Sequence, residues 1–328
     1  MDSLRDTVLV SARERAAAGV WRDVATLLEP RVRADCGLTE EAVLYAEAIL
    51  YLGEERRARE LLRRVLAAPE STTRDPSMHR RAANMLGVAS FALGDLDEAQ
   101  SALTTALELA TRDDDPALLA KATNNLGAIA NLRGRHQDAL WHYRLALPTL
   151  QRVGDRRRLA QAYHNIGITF RDTGALEESD EHERRAIEYA TESGDVRLAA
   201  MGRVGRAELA LRRGDAALAE TTARLARDEF ERIGDPLNEA DALRLVGSAC
   251  GAQQRYEPAL EAFDRALGLA HERGHAIAEA ETLRDRVSLW LALGERARAR
   301  EDARRAMEIF GRLGAVAERE KLEGLSLD

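Results

Sequence analysis

In residues 116–155, PALLAKATNNLGAIANLRGRHQDALWHYRLALPTLQRVGD, apolar side chains recur at helical spacing as far as Leu132. Gly134 interrupts the pattern and a second amphipathic run extends from Gln137 to about Val153. The stretch therefore reads as two helices joined by a tight turn. Gly154 suits the position just past a helix end, where a left-handed backbone costs least without a Cβ. Asp155 suits the N-cap of the helix that follows. In Asp75-Pro76, Asp115-Pro116 and Asp235-Pro236 the cap precedes a proline at the first helical position, whose missing N–H is no loss there.

The pattern recurs every 40 residues. Gly154, Gly194, Gly234, Gly274 and Gly314 form one series; Gly94, Gly134, Gly174 and Gly214 form a second, which Gln254 interrupts and Gly294 resumes. Ala106, Ala146, Ala186, Ala226, Ala266 and Ala306 form a third. These series define six units, 76–115, 116–155, 156–195, 196–235, 236–275 and 276–315. Such internal periodicity is the mark of a repeat architecture. Gly127, Ala139 and Ala146 let the two helices of a unit approach closely, with Leu126 and Tyr143 filling the gaps. Upstream the pattern is looser: Gly53 precedes ERRARELLRRVL, Ala58 takes the slot of Ala99, and Gly19 precedes VWRDVATLLEP. Atypical end units are expected where a stacked core must be covered.

The Asn125-Leu126-Gly127 and Asn165-Ile166-Gly167 steps, the glycine between helices and the two alanines of the second helix resemble the tetratricopeptide repeat (TPR) family. The likeness is to its longer-repeat form, seen in kinesin light chains and many bacterial regulators, and it covers roughly residues 4–315. It implies an all-α, right-handed α-solenoid of about eight helix-turn-helix units. Residues 1–75 would hold two divergent units, 76–315 the six regular ones and 316–328 a C-terminal cap, all in one continuous solenoid. Arg206 and Arg286 depart from the family pattern, standing where it has a large apolar residue, and predict looser packing in the C-terminal third. A Gly-Asp junction also replaces the family's proline after the second helix.

Composition agrees with helices: 45% of residues are hydrophobic, only 4% aromatic, and there are seven prolines. A net charge of −8 argues against a nucleic-acid binder, and Arg156-Arg157-Arg158 is flanked by acids, as on a solvated surface. Lys121 and Lys321 are the only lysines, an arginine-and-alanine bias that resembles chains from GC-rich bacterial genomes. Cys36 and Cys250 are far apart and in no metal-type spacing. With a charged start and no run of about 18 apolar residues, the expectation is a soluble cytoplasmic protein.

One stretch carries a catalytic pattern. His271-Glu272-Arg273-Gly274-His275 matches H-E-x-x-H, which on a helix holds zinc beside a general base. In the repeat frame, however, Gly274 is a junction glycine and His275 replaces the capping Asp155, Asp195 and Asp235. The second imidazole is therefore expected beyond the helix end, with no metal or cofactor bound. Asp113-Asp114-Asp115 falls in the same kind of junction and reads as capping rather than a cation loop. His136, His142, His164 and His182 are scattered, and Cys250 reads as a small buried hydrophobe.

The TPR likeness implies a ligand groove lined by first helices. Carried over slot by slot, its inner positions are Arg81, Asn84 and Phe91; Lys121, Asn124 and Asn131; and Gln161, His164 and Arg171. Asn125 and Asn165 match the asparagine that in some TPR proteins holds a peptide backbone or terminal carboxylate. Amides suit peptide groups and arginines suit carboxylates, so an acidic or carboxylate-bearing peptide or protein segment is the expected partner of residues 81–171. Further along, Asp241 precedes Arg244, Glu281 precedes Arg284 and Glu208 precedes Arg212 at helical spacing, so these charges are expected to neutralise one another within a helix. Trp141 stands where five other units are polar, either as a convex contact or as an ordinary exposed aromatic. The leading expectation is a non-enzymatic scaffold or adaptor that binds a peptide or protein. A peptide-responsive sensor that changes superhelical shape is the alternative and a zinc hydrolase the remote one; an oligomer is compatible with each.

Overall fold

The chain builds no β-strand among the residues described by its computed structural model, which are 2–17, 20–34, 39–67, 77–272, 274–312 and 316–323. Asp75, Pro76, Gly19, Cys36, Arg273 and Gly314 lie outside the described residues. Contacts divide the chain into two compact units, Met1–Gly154 and Asp155–Asp328, a boundary that falls between two of the 40-residue repeats.

The first unit contains α1 (Asp2–Ala17), α2 (Trp21–Ala34), α3 (Glu40–Tyr51), α4 (Glu55–Leu66), α5 (Ser77–Ala92), α6 (Leu96–Arg112), α7 (Pro116–Leu132) and α8 (His136–Val153). The second contains α9 (Arg156–Asp172), α10 (Leu176–Glu192), α11 (Val196–Arg212), α12 (Ala216–Ile233), α13 (Pro236–Ala252), α14 (Tyr256–Glu272), α15 (Ala276–Ala292), α16 (Arg296–Arg312) and α17 (Val316–Glu323). From α5 to α16 every 40-residue unit is one helix pair, as the periodicity requires. First helices also pack against one another along one face, α5 with α7 in the first unit and α9, α11, α13 and α15 in sequence in the second. Leu322 of α17 is buried in the cluster formed by α15 and α16, covering the end of that stack.

The junction chemistry follows from unsatisfied helix ends. Asp95, Asp115, Asp155, Asp195, Asp215 and Asp235 each cap a helix with a side chain that accepts the backbone N–H three residues ahead, at 3.0–3.4 Å. The preceding helices close through a left-handed residue, with φ between 63° and 83° at the junction glycines that follow α5. Where the glycine series fails the backbone does not: Gln254 has φ 61° and Asp114 φ 49°. Repeat geometry thus overrides residue preference at both positions. Relieving that strain gives a prediction. Gln254→Gly is expected to raise the unfolding free energy by about 0.5–1 kcal/mol, after the entropy a glycine adds to the unfolded chain; urea denaturation measures it.

Inside each pair a large residue of the second helix fills the space a first-helix glycine leaves open. A Cβ on Gly127 would lie 2.5 Å from Tyr143, and one on Gly247 would lie 2.9 Å from the ring of Phe263. In the last pair the bargain is reversed: Val287 faces the slot of Ala303, and both are fully buried. The looser packing expected around Arg206 and Arg286 is not found. Arg286 reaches Asp302 at 2.8 Å and Asp264 at 2.7 Å and lies over Trp290, whose indole N–H donates to Asp302 at 2.9 Å. Arg206 pairs with Asp180 of the neighbouring second helix at 2.8 Å. The long guanidinium stem covers the interface while its head finds a carboxylate at the edge.

Candidate functional site

In the second unit the inner face of α9, α11, α13, α15 and α17 encloses a cavity of about 470 Å³, a size typical of ligand sites. The repeat explains its lining. His164, Arg244 and Arg284 occupy one slot, three residues before the position of the packing glycine, and Asp241 and Glu281 occupy the slot one turn earlier. These are the slots of Asn84 and Asn124, and of Arg81, Lys121 and Gln161. Following the same slots beyond α9 would have found the later residues; treating their charges as self-neutralised within each helix hid them.

Part of that neutralisation is real and part is not. Asp241 pairs with Arg244, and Glu208 lies 3.6 Å from Arg212. Most of the charge, however, is matched between neighbouring repeats. Arg171 of α9 donates to Glu208 of α11 at 2.7 Å, Arg244 of α13 to Asp285 of α15, and Arg284 of α15 to Glu318 of α17. Arg284 turns to Asp285 and Glu318, and the expected Glu281–Arg284 pair does not form. Glu281 makes no ion pair with any described residue. Burial pushes its carboxyl up to about 7, with Asp241 and Asp285 adding to the rise and Arg244 and Arg284 opposing it. Arg244 is almost completely buried; burial opposes its charge, but Asp241 and Asp285 more than compensate and hold the guanidinium protonated. Asp285 sits below the usual carboxylate range, because Arg244 and Arg284 outweigh its own burial.

His164 brings a second buried pair to the cavity wall. Its Nδ1 lies 2.8 Å from Oε2 of Glu183, which is 1% exposed. Glu183 occupies the slot of Tyr143 and Phe263, so a carboxylate stands where neighbouring repeats put an aromatic plug. Gly167 and Gly205 make the room: a Cβ on either would fall within 2.8 Å of the Glu183 carboxylate. Burial raises the Glu183 pKa, while His164 and Arg171 act against that rise.

The structure brings two of the sequence-derived groove residues, His164 and Arg171, to this cavity. Gln161 is exposed and Asn165 half-buried on the same helix, and neither lines it. In the first unit Arg81, Asn84, Lys121, Asn124 and Asn125 lie on the first helices α5 and α7. Arg81 pairs with Glu47 at 3.2 Å, as Arg171 pairs with Glu208, so neither arginine is the unopposed cation that the expected basic groove requires. Asn124 is buried, and the buried Oδ1 of Asn84 has no hydrogen-bond partner among the described residues. Phe91 packs against Ala99, Leu103, Leu126 and Ile129 and so belongs to the core. Asn131 turns its amide oxygen to the His136 ring at 2.9 Å, at the inter-helix turn. Trp141 is 61% exposed and borders a smaller crevice of about 240 Å³ with His142 and Leu126.

The H-E-x-x-H stretch is a repeat junction. His271 is exposed at the end of α14, Gly274 has φ 63°, and Nδ1 of His275 accepts the N–H of Ala278 at 3.3 Å. The imidazole does what aspartate does at the other junctions. Asp115 likewise caps α7, and among the described residues no group of three His, Cys, Asp or Glu is placed to hold a metal ion. Cys250 is fully buried, as expected of a small hydrophobe. No helix among the described residues is long and apolar enough to cross a membrane.

Residues 78–147 and 118–192 match the sequence model of the tetratricopeptide repeat family. Residues 78–192 therefore carry the family's repeat, and the helix-pair architecture continues on either side of them in an all-α helical solenoid. No curated protein sequence matches it. Among solved structures it is similar to a Rap protein complexed with competence and sporulation factor, with TM-score 0.70 and 14% identity over 98% of this chain and 96% of that one. It is also similar to the Rap conjugation gene regulator of plasmid pLS20 in complex with the Phr* peptide, with TM-score 0.67 and 16% identity over 87% and 76% of the two chains. A third is aspartyl phosphate phosphatase F from Bacillus subtilis, with TM-score 0.60 and 14% identity over 80% and 68%. At these identities the likeness is one of fold.

Proposed function

We propose that this chain is a non-enzymatic, cytoplasmic TPR protein that binds a peptide, or a segment of a protein, on the inner face of its first helices. The cavity between α9 and α17 carries the reading: it is built from repeat-equivalent slots and lined mostly by charged side chains, with Ile168, Met201 and Val204 between them. A catalytic site needs a few groups tuned against each other around a reacting atom. This wall instead alternates acids and arginines over several repeats, an arrangement that recognises an extended polar ligand. The charged side chains suit the charged groups of a peptide, and the Asn238 amide suits a peptide group.

Peptide-responsive regulation is the second reading, favoured because two structures of this fold are of Rap proteins complexed with a factor or peptide. Ligand-induced change in the radius of gyration separates it from a rigid adaptor. The test of both begins with a random heptapeptide library displayed against the full chain. Arg212→Ala, at the half-exposed edge of the cavity wall, is expected to weaken the retained peptides by about tenfold while leaving the melting temperature nearly unchanged. Undiminished binding would remove Arg212 from the site, and a large fall in melting temperature would make it structural.

A further inference from the structure

Every arginine on the cavity wall is already matched. Arg171 and Arg212 share Glu208, Arg244 is held by Asp241 and Asp285, and Arg284 by Asp285 and Glu318. Glu281 alone among these wall carboxylates has neither an ion pair nor a hydrogen bond to a described residue, although Arg284 lies three residues further along its own helix. The repeat makes the point sharper. Asp241, in the same slot 40 residues earlier, does take the arginine three residues on. In α15 that arginine is drawn away by Asp285 and Glu318, which leaves a half-buried carboxylate at the wall of an open cavity.

We propose that Glu281 is the cation-recognising element of this groove, pairing with a guanidinium or ammonium group of the bound peptide. The inference rests on the groove reading above and adds the ligand's charge: a basic group toward α15. The surroundings favour a positive visitor. The charged groups that face Glu281 are Asp241 and Arg244 on α13, Arg284 and Asp285 on α15, and Glu318 on α17, with Glu208 and Arg212 of α11 further along the wall. Both arginines are engaged by other carboxylates. Asp264 of α14 and Asp302 and Arg305 of α16 are spent elsewhere on α15, on Arg286 and Glu279. A cation that docks here relieves the repulsion between Glu281, Asp241 and Asp285 and supplies the partner the fold withholds.

A consequence in pH follows. The free carboxyl titrates near 7, so a cation must displace a proton from it below that pH. Affinity is expected to be about tenfold weaker one pH unit below that value than well above it. The sign is diagnostic, because a protonated Glu281 that donates to a ligand carbonyl would bind better as pH falls.

The experiment selects heptapeptides from a random library with the full chain and with Glu281→Gln, at about pH 6 and about pH 8. Glu281 makes no ion pair or hydrogen bond with a described residue that the amide would break, so the variant is expected to fold. Peptides retained by the wild type are expected to be enriched in arginine or lysine at one position. For a selected peptide, citrulline in place of arginine, or Glu281→Gln in place of wild type, is expected to weaken binding by about tenfold to a hundredfold at pH 8. N-terminal acetylation distinguishes a terminal ammonium from a basic side chain. Retained peptides with no basic preference, or with affinity unchanged by Glu281→Gln, would overturn this inference and leave the groove reading standing. If no peptide is retained, the groove reading falls and this inference with it.

Discussion

Phe263→Ala is expected to lower the unfolding free energy by about 3–5 kcal/mol, measured by urea denaturation. The ring is 1% exposed and fills the space that Gly247 leaves between α13 and α14, so truncation loses burial and opens a void that helices on both sides must line. Gly247→Val alone is also expected to destabilise, by about 1–3 kcal/mol, because its Cβ would press on that ring. The informative variant combines them. The unit 40 residues on packs Val287 against a chain that carries Ala303, so valine-over-alanine is a solution this fold already uses. The double variant is expected to recover at least about 1 kcal/mol of the summed losses. Strict additivity would show that the two repeats are not equivalent in packing.

Arg244→Met is expected to cost about 3–5 kcal/mol at neutral pH, the scale for breaking a buried ion pair from one side. The guanidinium is almost fully buried, and Asp241, Asp285 and Glu281 would face one another without it. Methionine keeps most of the stem's packing, so the loss is electrostatic. Its pH dependence has a definite sign. Asp285 is held below its ordinary range in the native protein, which contributes stability above the unfolded value that is lost as pH falls through the folded one. Without Arg244 that contribution shrinks. The gap between wild type and variant is therefore expected to narrow from neutral toward acidic pH, followed by thermal unfolding across that range. A gap that stays constant would make it a packing effect.

The helix pairs were legible in the sequence because three independent signals share one period. Glycine past each helix end, aspartate at the next N-cap and alanine at the close contact each answer a local physical demand that recurs with every unit. The junction geometry holds even where the residue disagrees: Gln254 and Asp114, which stand in glycine slots, adopt left-handed φ. The period also recast His275 as a capping residue. What it could not show is partner choice among charges. Arg284 has an acid three residues before it, one residue after it and another on α17, and helical spacing favours the first. Only the packing of α17 against α16 at the end of the stack brings Glu318 within reach of Arg284 and strands Glu281. The Glu183–His164 pair was hidden for the same reason, since its members are separated by the turn between α9 and α10 and meet only through Gly167 and Gly205. Phe91 illustrates the converse: its slot matches Arg171, but an aromatic ring there turns into the helix interface.

The central claim is that the inner face of the first helices in the second unit is a peptide site. Hydrogen exchange of the full chain with and without a library-selected heptapeptide tests it most directly. The claim requires new protection in α9, α11, α13 and α15 when the peptide is added. Protection confined to second helices, or to α8 around the exposed Trp141, would contradict it.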